Sequence, residues 1–269
     1  MYQVLEASFG DLSRLYRYHR EAAYGAAFNL KGFDYPWLLE SRSWKRGERI
    51  LDVGAAYSDL PQHMHDACGS EVWVADDYGT QSNDPYWLRN KSPQEHIAGH
   101  PDIHYVLERL GDPARSSLPA GTFDVVYSIS TLEHVPTAMI QDVWRHMDLL
   151  LKPGGEMLHA VDLLFPSNQG LRKVLLGSIF DALYALTTPS QRLHHYMATP
   201  RAYVRLMLQT LGTPYRPGKA LPVIDMCLDP DILTESFESG MNRILKDGIT
   251  DFRYQRVATL LIHLKKVSQ

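Results

Sequence analysis

Cysteine is rare in this sequence, its apolar runs are short, and its basic residues do not cluster. The 269 residues include only 2 cysteines, Cys68 and Cys227, so no disulfide framework is expected and a reducing compartment, the cytoplasm, is favoured. No run approaches the roughly 18 apolar residues that a membrane-spanning helix needs, so no stable membrane insertion is expected. A formal net charge of −4 gives no general reason to expect a nucleic-acid partner.

Features that would divide the chain into domains are also scarce. No linker rich in proline, glycine and serine, no charge block and no internal repeat interrupts it. The first residues, MYQVLEASFGDLSR, lack the basic start and apolar centre of a secretory signal. Because 45% of the residues are hydrophobic, we expect a packed globule formed by one domain over residues 1–269.

The most informative segment, ILDVGAAYSD, joins a short apolar run to a turn of small residues. A strand that ends after Asp52 is followed by Gly54, Ala56 and the start of a helix. Glycine permits a sharp turn and a close approach of a ligand to the backbone. The helix start adds unpaired amides, and Asp52 adds carboxylate acceptors. The segment therefore predicts a nucleoside-binding turn at the carboxyl end of a strand.

Short apolar runs alternate with amphipathic helical segments along the chain. Strands are expected at 49–53, 71–75, 104–110, 123–129, 156–161, 221–228 and 256–265. Helices are expected at 58–68, from Ser92, at 137–152 and at 199–211. Strands separated by helices predict an α/β fold, a Rossmann-like doubly wound sheet of seven mostly parallel strands with helices on both faces.

Two further segments surround this predicted sheet. Residues 1–46 read as a helical cap, with one helix from Asp11 and a second near Pro36. The connection over residues 163–198 is too long for a plain loop and carries an apolar stripe, which predicts a helical lid. The same stripe is compatible with lid-to-core packing or with a homodimer contact. The expected parts are a cap (1–46), a cofactor-binding core (47–162), a lid (163–198) and the C-terminal part of the sheet (199–269).

An acidic pair follows the second predicted strand. In doubly wound sheets the ligand lies beyond the carboxyl ends of the strands. Asp76 comes 24 positions after Asp52, near the roughly 20 residues expected for an acid that accepts both ribose hydroxyls. Asp77 is an alternative, and Asp76 is preferred because it ends the strand pattern. The competing interpretation, a solvated turn acid, is disfavoured by the order of the neighbouring segments.

Further segments occur in a fixed order: VWVADD, then LGDPARSSLPAGTFDVVYSISTLEHVP, then LLKPGGEMLHAVD. Together with ILDVGAAYSD they resemble the successive motifs of class I S-adenosylmethionine-dependent methyltransferases, especially the small-molecule branch with LEHV and LKPGG motifs. The resemblance covers residues 47–162, and the final RVATLLIHLKKV resembles the last strand of that family. It implies that this last strand is antiparallel. It also implies S-adenosyl-L-methionine as cofactor and S-adenosyl-L-homocysteine as product.

The resemblance assigns a role to the first two strand ends. Asp52 and Gly54 would flank the methionine part of the cofactor, with Ala56 at the next small position of the turn. Asp76 would hold the ribose, and Asp77 would lie beside the adenine.

The resemblance extends to the next two strand ends. Asp112 would accept a hydrogen bond from the adenine amino group, with Gly111 allowing the turn. The segment from Ser128 to Thr131, including Ser130, would pass close to the reactive sulfur.

The chain departs from the family in its glycine turn. Three alternating glycines are common there, whereas this chain has Gly54, Ala56 and Ser58. An NAD-dependent oxidoreductase, one alternative function, needs a pyrophosphate packed tightly on the helix N-terminus and is disfavoured by this turn. A non-catalytic nucleoside-binding protein of the same fold is a second alternative.

The LEHV segment supplies the candidate catalytic residues, Glu133 and His134. His134 follows the fourth strand, and its ordinary pKa suits a general base at neutral pH. A purely structural role, capping or packing the helix from Thr137, is the alternative. In quinone-precursor O-methyltransferases, which this segment resembles, a further glutamate lies three positions before the Glu–His pair. Ser130 occupies that position here, so no metal is expected.

The predicted acceptor pocket lies under the cap and the lid. Tyr16 and Tyr24 of the cap and His195 of the lid are candidate pocket residues. For each tyrosine alone, ordinary half-buried packing is the preferred interpretation, and for His195 a surface or core position is the alternative. His63 and His65 point to different sides of a helix, so they predict surface or core packing and not a metal site. We expect methyl transfer to oxygen or nitrogen of a small, partly apolar or aromatic molecule, with secondary metabolism as one setting.

Overall fold

One mixed β-sheet runs through the part of the chain that the structure describes. The computed structural model describes residues 1–5, 31–79, 92–166, 200–214, 223–225 and 254–268. The strands in these ranges are β1 (Tyr2–Leu5), β2 (Arg49–Val53), β3 (Glu71–Ala75), β4 (His104–Val106), β5 (Phe123–Ile129), β6 (Leu151–Pro166), β7 (Val223–Asp225) and β8 (Tyr254–Lys266). Their order across the sheet is β1-β8-β6-β5-β2-β3-β4, and β7 also pairs with β8.

The strand directions are those of a doubly wound sheet. Neighbouring strands from β6 through β5, β2 and β3 to β4 are parallel. β8 runs antiparallel to β6 and also to β1 and β7. The chain moves from β2 outward to β3 and β4, then returns to β5 on the other side of β2, so the strand order reverses between β2 and β5. The predicted fold class, including the antiparallel last strand, is confirmed.

Five α-helices and one 3₁₀ turn are described. They are α1 (Lys31–Glu40), α2 (Leu60–Cys68), α3 (Pro93–Ala98), α4 (Thr137–Leu150), α5 (Pro200–Thr210) and the 3₁₀ turn Leu132–His134. The Ser92 hydroxyl caps α3 by accepting a hydrogen bond from the Glu95 amide at 3.2 Å. Gly69 ends α2 in the left-handed conformation, with φ of 63°. The start of a helix at Ser92 and the end of a helix at Cys68 thus agree with the sequence prediction.

Helices cover both faces of the sheet. Side chains alternate along β5, so Val125 and Tyr127 face one helical layer and Val126 faces the other. The first layer buries Trp37, Leu38, Leu60 and Met64 from α1 and α2. In the second layer Trp144 of α4 meets Tyr203 of α5 edge to face, with ring centroids 5.3 Å apart. Such a pair contributes about 0.5–1.5 kcal/mol beyond its buried area.

The sheet is larger than predicted on the side of β8. β1 pairs antiparallel with β8, although the sequence indicates helix throughout residues 1–46. β6 pairs with β8 as far as Pro166, so Leu163–Pro166 are strand and the prediction of a lid helix beginning at Leu163 is wrong there. Both extensions depend on β8 as a partner. A partner that distant in the chain leaves little trace in the local sequence pattern.

Other element boundaries also differ from the prediction. β6 begins at Leu151 and not at Glu156, so Leu151 and Lys152, which the sequence predicts as the end of a helix, are strand.

The bounds of α1 and β4 differ as well. α1 begins at Lys31 and not near Pro36, so the proline lies inside the helix and removes one of its hydrogen bonds. β4 ends at Val106, four residues before the predicted end. Just beyond this end, the Glu108 carboxylate accepts from the Ser117 amide at 2.9 Å, which ties the segment after β4 to the loop before β5.

Several predicted elements fall outside the described residues. These are the helix from Asp11, the part of the lid from residue 167 to residue 198, and most of the segment 221–228. The division into cap, core and lid therefore stays a prediction. None of the helices in the described ranges combines the length and the apolar character needed to cross a membrane.

Candidate active site

The loops that follow β2, β3 and β5 lie together at the carboxyl edge of the sheet. The Gly54 amide donates to the Ala75 carbonyl at 2.9 Å, which joins the first loop to the end of β3. The Thr131 hydroxyl donates to the Gly54 carbonyl at 3.0 Å, which joins the same loop to the end of β5. Three strand ends that the sequence singles out thus form one continuous surface at the reversal of strand order.

Gly54 is required at the centre of this surface for two separate reasons. Its φ of 79° lies in the left-handed region, which residues with a Cβ rarely adopt. A Cβ atom on Gly54 would also lie 2.1 Å from the Thr131 Cγ2 atom. The β2 turn can therefore approach the β5 loop only because this position has no side chain.

Asp76 braces the turn of small residues. One carboxylate oxygen accepts from the Ala56 amide at 2.8 Å, and the other accepts from the Tyr78 amide at 2.6 Å. Burial raises the pKa of the Asp76 carboxyl, while these two amides lower it in part. Each carboxylate oxygen keeps a further lone pair, so Asp76 can hold the loop and also accept a ribose hydroxyl.

Strained backbone is concentrated at the same edge. In the described part of the chain, the non-glycine residues with positive φ are Ala56 at 48°, Tyr78 at 49° and Ser130 at 49°. Each left-handed residue of this kind costs free energy, and such residues cluster at binding and catalytic sites. All three lie in the loops after β2, β3 and β5, next to Asp76 or at the end of β5.

Asp77 points to a different partner from that of Asp76. The Arg109 guanidinium lies 2.5 Å from one Asp77 carboxylate oxygen, and the Gly79 amide donates to the other at 3.1 Å. Asp77 thus links the β3 loop to the segment after β4. The two acids that the sequence leaves as alternatives have separate tasks, with Asp76 directed to the β2 turn and Asp77 to the outer side.

Gly111 and Asp112 lie in the segment after β4, beside α4. The Gly111 amide donates to Nδ1 of His146 at 3.1 Å, and burial lowers the pKa of that histidine, so the neutral ring can accept. Gly111 has a φ of 126°, and a Cβ there would meet Val143 at 3.4 Å. Asp112 is exposed and accepts from the Ala114 amide of its own turn at 3.2 Å. Its side chain is accessible to a ligand at the outer end of the edge.

Asp52 is buried near the end of β2, directly beside Tyr127 of β5 in the parallel register. Burial and then the Asp52 carboxylate raise the pKa of Tyr127. The same two causes raise the pKa of Tyr105, at β4, to about 12. Asp52 therefore places a negative charge among tyrosine hydroxyls beneath the glycine turn.

Ser128 forms a buried pair with the neighbouring strand. Ser128 Oγ and His159 Nδ1 share a hydrogen bond of 2.8 Å, and both side chains are fully buried. Burial lowers the pKa of His159 to about 3, so the ring is neutral. The Ser128 hydroxyl thus bonds to β6, and only the backbone of Ser128 is available to a ligand at the strand end.

Ser130 brings the cap helix α1 to the end of β5. Its amide donates to the Ala160 carbonyl at 2.9 Å, and its hydroxyl donates to an Asp34 carboxylate oxygen at 3.4 Å. Asp34 is fully buried, and its neighbour Tyr35 shares a hydrogen bond of 3.0 Å with Ser58 of the small-residue turn. Sequence reasoning misses Asp34, although an acid inside the apolar segment GFDYPWLL is an available signal.

The 3₁₀ turn after β5 orients its acid and its histidine differently. The side chain of His134 is 51% exposed, whereas that of Glu133 is fully buried. Burial and then the Glu133 carboxylate raise the pKa of Tyr203 in α5, so Glu133 lies on the side of α4 and α5. His134 can meet a ligand at the edge, whereas Glu133 belongs to the interior beneath it.

The other candidate residues are outside this edge or outside the described ranges. Tyr16, Tyr24 and His195 lie outside the described residues. On α2, His63 is exposed and His65 donates from Nδ1 to the Ser70 carbonyl at 3.0 Å, in agreement with a packing role. The described ranges contain no group of three or more His, Cys, Asp and Glu side chains arranged to hold a metal ion.

A family model described as a methyltransferase domain matches residues 20–210 of this chain. The chain belongs to this methyltransferase family. The matched range contains the strand ends after β2, β3, β4 and β5, together with the loops that carry Gly54, Asp76 and His134. The expectation of a class I S-adenosylmethionine-dependent methyltransferase is confirmed at the level of the family. No curated protein matches the chain in sequence.

Solved methyltransferase structures share the fold at low sequence identity. Phosphoethanolamine N-methyltransferase 2 of Haemonchus contortus, in complex with S-adenosyl-L-methionine, has 14% identity and a TM-score of 0.51 over 84% of this chain and 50% of that chain. A geranyl diphosphate methyltransferase in complex with the same compound has 15% identity and a TM-score of 0.51 over 97% and 92%. The YcgJ protein of Bacillus subtilis has 12% identity and a TM-score of 0.51 over 88% and 99%.

These similarities concern the architecture of the methyltransferase domain. The chain spans half the length of the Haemonchus contortus enzyme. The substrates named for these relatives differ from one another, and at such identities they do not transfer to this chain.

Proposed function

We propose that this protein transfers a methyl group from S-adenosyl-L-methionine to oxygen or nitrogen of a small, partly apolar or aromatic molecule. Membership of the methyltransferase family supports the reaction class. The observation that carries the proposal is the junction of Gly54, Asp76 and Thr131. It brings three strand ends together at the reversal of strand order, where doubly wound folds bind nucleosides.

The residues at this edge fit the proposed cofactor chemically. Asp76 has the spare acceptor capacity that ribose hydroxyls need. The buried charge of Asp52 suits the cationic end of the methionine part, beside Gly54 and Ala56. Asp77 would lie beside the adenine.

The remaining contacts would come from the outer strand ends. Gly111 and the exposed Asp112 offer a turn and an acceptor to the adenine amino group. The Ser128 backbone and Ser130 would lie close to the sulfur of the cofactor.

The cofactor supplies a methyl group on a cationic sulfur that departs as a neutral thioether without acid assistance. The tasks of the protein are alignment, exclusion of water and removal of a proton from the acceptor. His134 has a half-exposed ring at the edge, and we assign to it the removal of the proton from the acceptor. A positioned base contributes a factor of about 10²–10⁴ to the rate. Glu133 would act only through the turn that it anchors.

The proposed setting is natural-product biosynthesis in the cytoplasm, with a small-molecule acceptor and no nucleic-acid partner. The scarcity of cysteine supports the compartment, and the net charge of −4 supports the absence of a nucleic-acid partner. A homodimer through the apolar stripe of the lid stays a prediction. A non-catalytic nucleoside-binding protein would use the same edge, and only turnover separates it from an enzyme.

Calorimetric titration of the full chain with S-adenosyl-L-methionine, S-adenosyl-L-homocysteine and NAD⁺ tests the ligand. We expect the two sulfur compounds to bind and NAD⁺ to give no measurable heat. Tritiated methyl groups are then followed from the cofactor onto pools of phenols, alcohols and amines. Binding without transfer to any pool would identify the non-catalytic alternative, and binding of NAD⁺ alone would refute the proposal.

A further inference from the structure

Buried carboxylates lie at the carboxyl edge of the sheet and directly beneath it. In the described part of the chain, the buried acids are Asp34, Asp52, Asp76 and Glu133, and the most exposed of them, Asp76, is 7% exposed. They come from α1, from β2, from the loop after β3 and from the turn after β5. Charges in a buried site interact strongly because little water is present to screen them. Burial disfavours a carboxylate charge that has no positive partner, so a cationic ligand at this edge stabilises the ionised acids and is favoured over a neutral or anionic ligand.

Asp34 differs from the other three because it belongs to the cap and not to a strand end. Its carboxylate accepts a hydrogen bond from the Ser130 hydroxyl at the end of β5. Because β2 lies between β5 and β3, Ser130 and the Asp76 loop lie on opposite sides of β2 in the strand order. Its position is fixed by the packing of α1. Trp37 and Leu38 of that helix are buried in the core, and Tyr35 is bound to Ser58.

We propose that Asp34 is the charge-selecting residue of the reacting centre. It favours the cationic sulfonium of the cofactor over the neutral thioether of the product. It also favours an acceptor that presents an O–H or N–H group without a neighbouring negative charge. This inference rests on the proposed function, which brings the cofactor sulfur to the segment from Ser128 through Ser130.

The chemistry of transfer gives Asp34 a use on the acceptor side. The oxygen or nitrogen of a neutral acceptor forms a bond to the methyl carbon while the carbon–sulfur bond breaks, and that electron pair stays on sulfur. The positive charge moves from sulfur to the acceptor and disappears when the O–H or N–H proton leaves to His134. A carboxylate beside the acceptor stabilises this charge as it arrives, whereas an anionic acceptor would be repelled.

The first test compares affinities for cofactor and product in wild type and Asp34→Asn. The ratio of the S-adenosyl-L-homocysteine Kd to the S-adenosyl-L-methionine Kd should fall about tenfold in the variant, because only the sulfonium interacts with the charge. Asp66→Asn on the exposed side of α2 is the matched control and should leave the ratio unchanged. An unchanged ratio in Asp34→Asn overturns the inference.

Two outcomes separate this inference from the proposed function. If the wild type binds neither compound, the proposed function fails. If the wild type binds both and Asp34→Asn binds both with the wild-type ratio, only the role of Asp34 fails. Should Asp34→Asn lose its cooperative thermal transition, Asp34→Ser removes the same charge and takes its place. Asp34→Glu keeps the charge and should keep the ratio.

The second test uses three phenols that differ mainly in charge: tyramine, 4-ethylphenol and 3-(4-hydroxyphenyl)propionate. Each is titrated into protein saturated with S-adenosyl-L-homocysteine. The wild type should bind tyramine about tenfold more tightly than the propionate, and Asp34→Asn should narrow this difference to about threefold or less. The inference is contradicted if the wild type binds the propionate more tightly than tyramine or binds none of the three phenols. It is also contradicted if wild type and Asp34→Asn have the same ratio of the tyramine affinity to the propionate affinity.

Discussion

A methyl group on Gly54 would lie 2.1 Å from the Thr131 Cγ2 atom, closer than nonbonded carbon atoms approach. Because Gly54 has no side chain, the loop after β2 can pack directly against Thr131 in the loop after β5. Thr131 holds the same junction from the other side, because its hydroxyl donates to the Gly54 carbonyl. The nucleoside-binding turn therefore depends on a residue that lies 77 positions further along the chain.

Replacement of Gly54 by alanine should separate this steric contact from backbone strain. Gly47 has the same φ of 79°, but a Cβ added there would meet no atom within 4 Å, so Gly47→Ala carries the strain alone. We expect Gly54→Ala to lower the free energy of unfolding by about 1–3 kcal/mol more than Gly47→Ala does. Urea unfolding measures the difference, and equal losses in the two variants would mean that Thr131 moves away freely.

The two acids after β3 should differ in their effect on cofactor binding. Asp76→Ala removes a charged acceptor and should weaken S-adenosyl-L-homocysteine binding by about 1.5–3 kcal/mol, tenfold or more. Asp77→Ala breaks an outer contact with Arg109 and should change the affinity by about threefold or less, as expected for a partly exposed ion pair. Calorimetry measures the S-adenosyl-L-homocysteine affinity of both variants. A larger loss of affinity in Asp77→Ala than in Asp76→Ala would assign the ribose contact to Asp77.

Removal of the His134 imidazole should affect turnover and not cofactor affinity. We expect His134→Ala to lower kcat by about 10²–10⁴, while S-adenosyl-L-homocysteine affinity changes about twofold at most. His63→Ala, on the exposed face of α2, is the control for a lost surface histidine. Turnover that survives in His134→Ala would leave this residue with the structural role of ending the β5 loop.

The buried His159 should make the fold sensitive to acid. A histidine in the unfolded chain takes up a proton as the pH falls below 6.5, whereas burial keeps the folded ring neutral down to a pKa of about 3. The proton therefore favours the unfolded state, and stability decreases as the pH falls across this window. The loss between pH 7 and pH 5 should be about 2 kcal/mol.

This loss can be isolated with a side chain that does not titrate. His159→Gln keeps a polar partner for Ser128 and should show a shallower decline of unfolding free energy between pH 7 and pH 5. His104→Gln, at an exposed position on β4, should keep the wild-type decline. The same slope in wild type and His159→Gln would show that other groups cause the acid sensitivity.

Local patterns were sufficient to predict the central sheet and the position of the edge. β3 and β5 have the predicted bounds, and the small-residue turn and the acids lie at strand ends because alternation and turn chemistry are local properties. The partner of β1 and the contact of Asp34 with Ser130 could not be predicted in this way. Each joins residues far apart in the chain, and neither changes the periodicity of its own segment.

The orientation of the predicted site residues could not be predicted from the sequence either. Glu133 and His134 are adjacent in the LEHV segment, yet one is buried beside α5 and the other is half exposed. A 3₁₀ helix has three residues per turn, so it directs successive side chains to different sides. The Ser128 hydroxyl likewise faces β6, because its partner His159 lies on the neighbouring strand.

One carboxylate, that of Asp76, holds both the Ala56 amide and the Tyr78 amide. The β2 and β3 loops are therefore mechanically coupled, and neither can adjust to its own part of a ligand alone. Adenosine and homocysteine, offered as separate fragments, would each have to organise the whole junction. Intact S-adenosyl-L-homocysteine gains more than the sum of its pieces, which favours recognition of the complete molecule over its breakdown products.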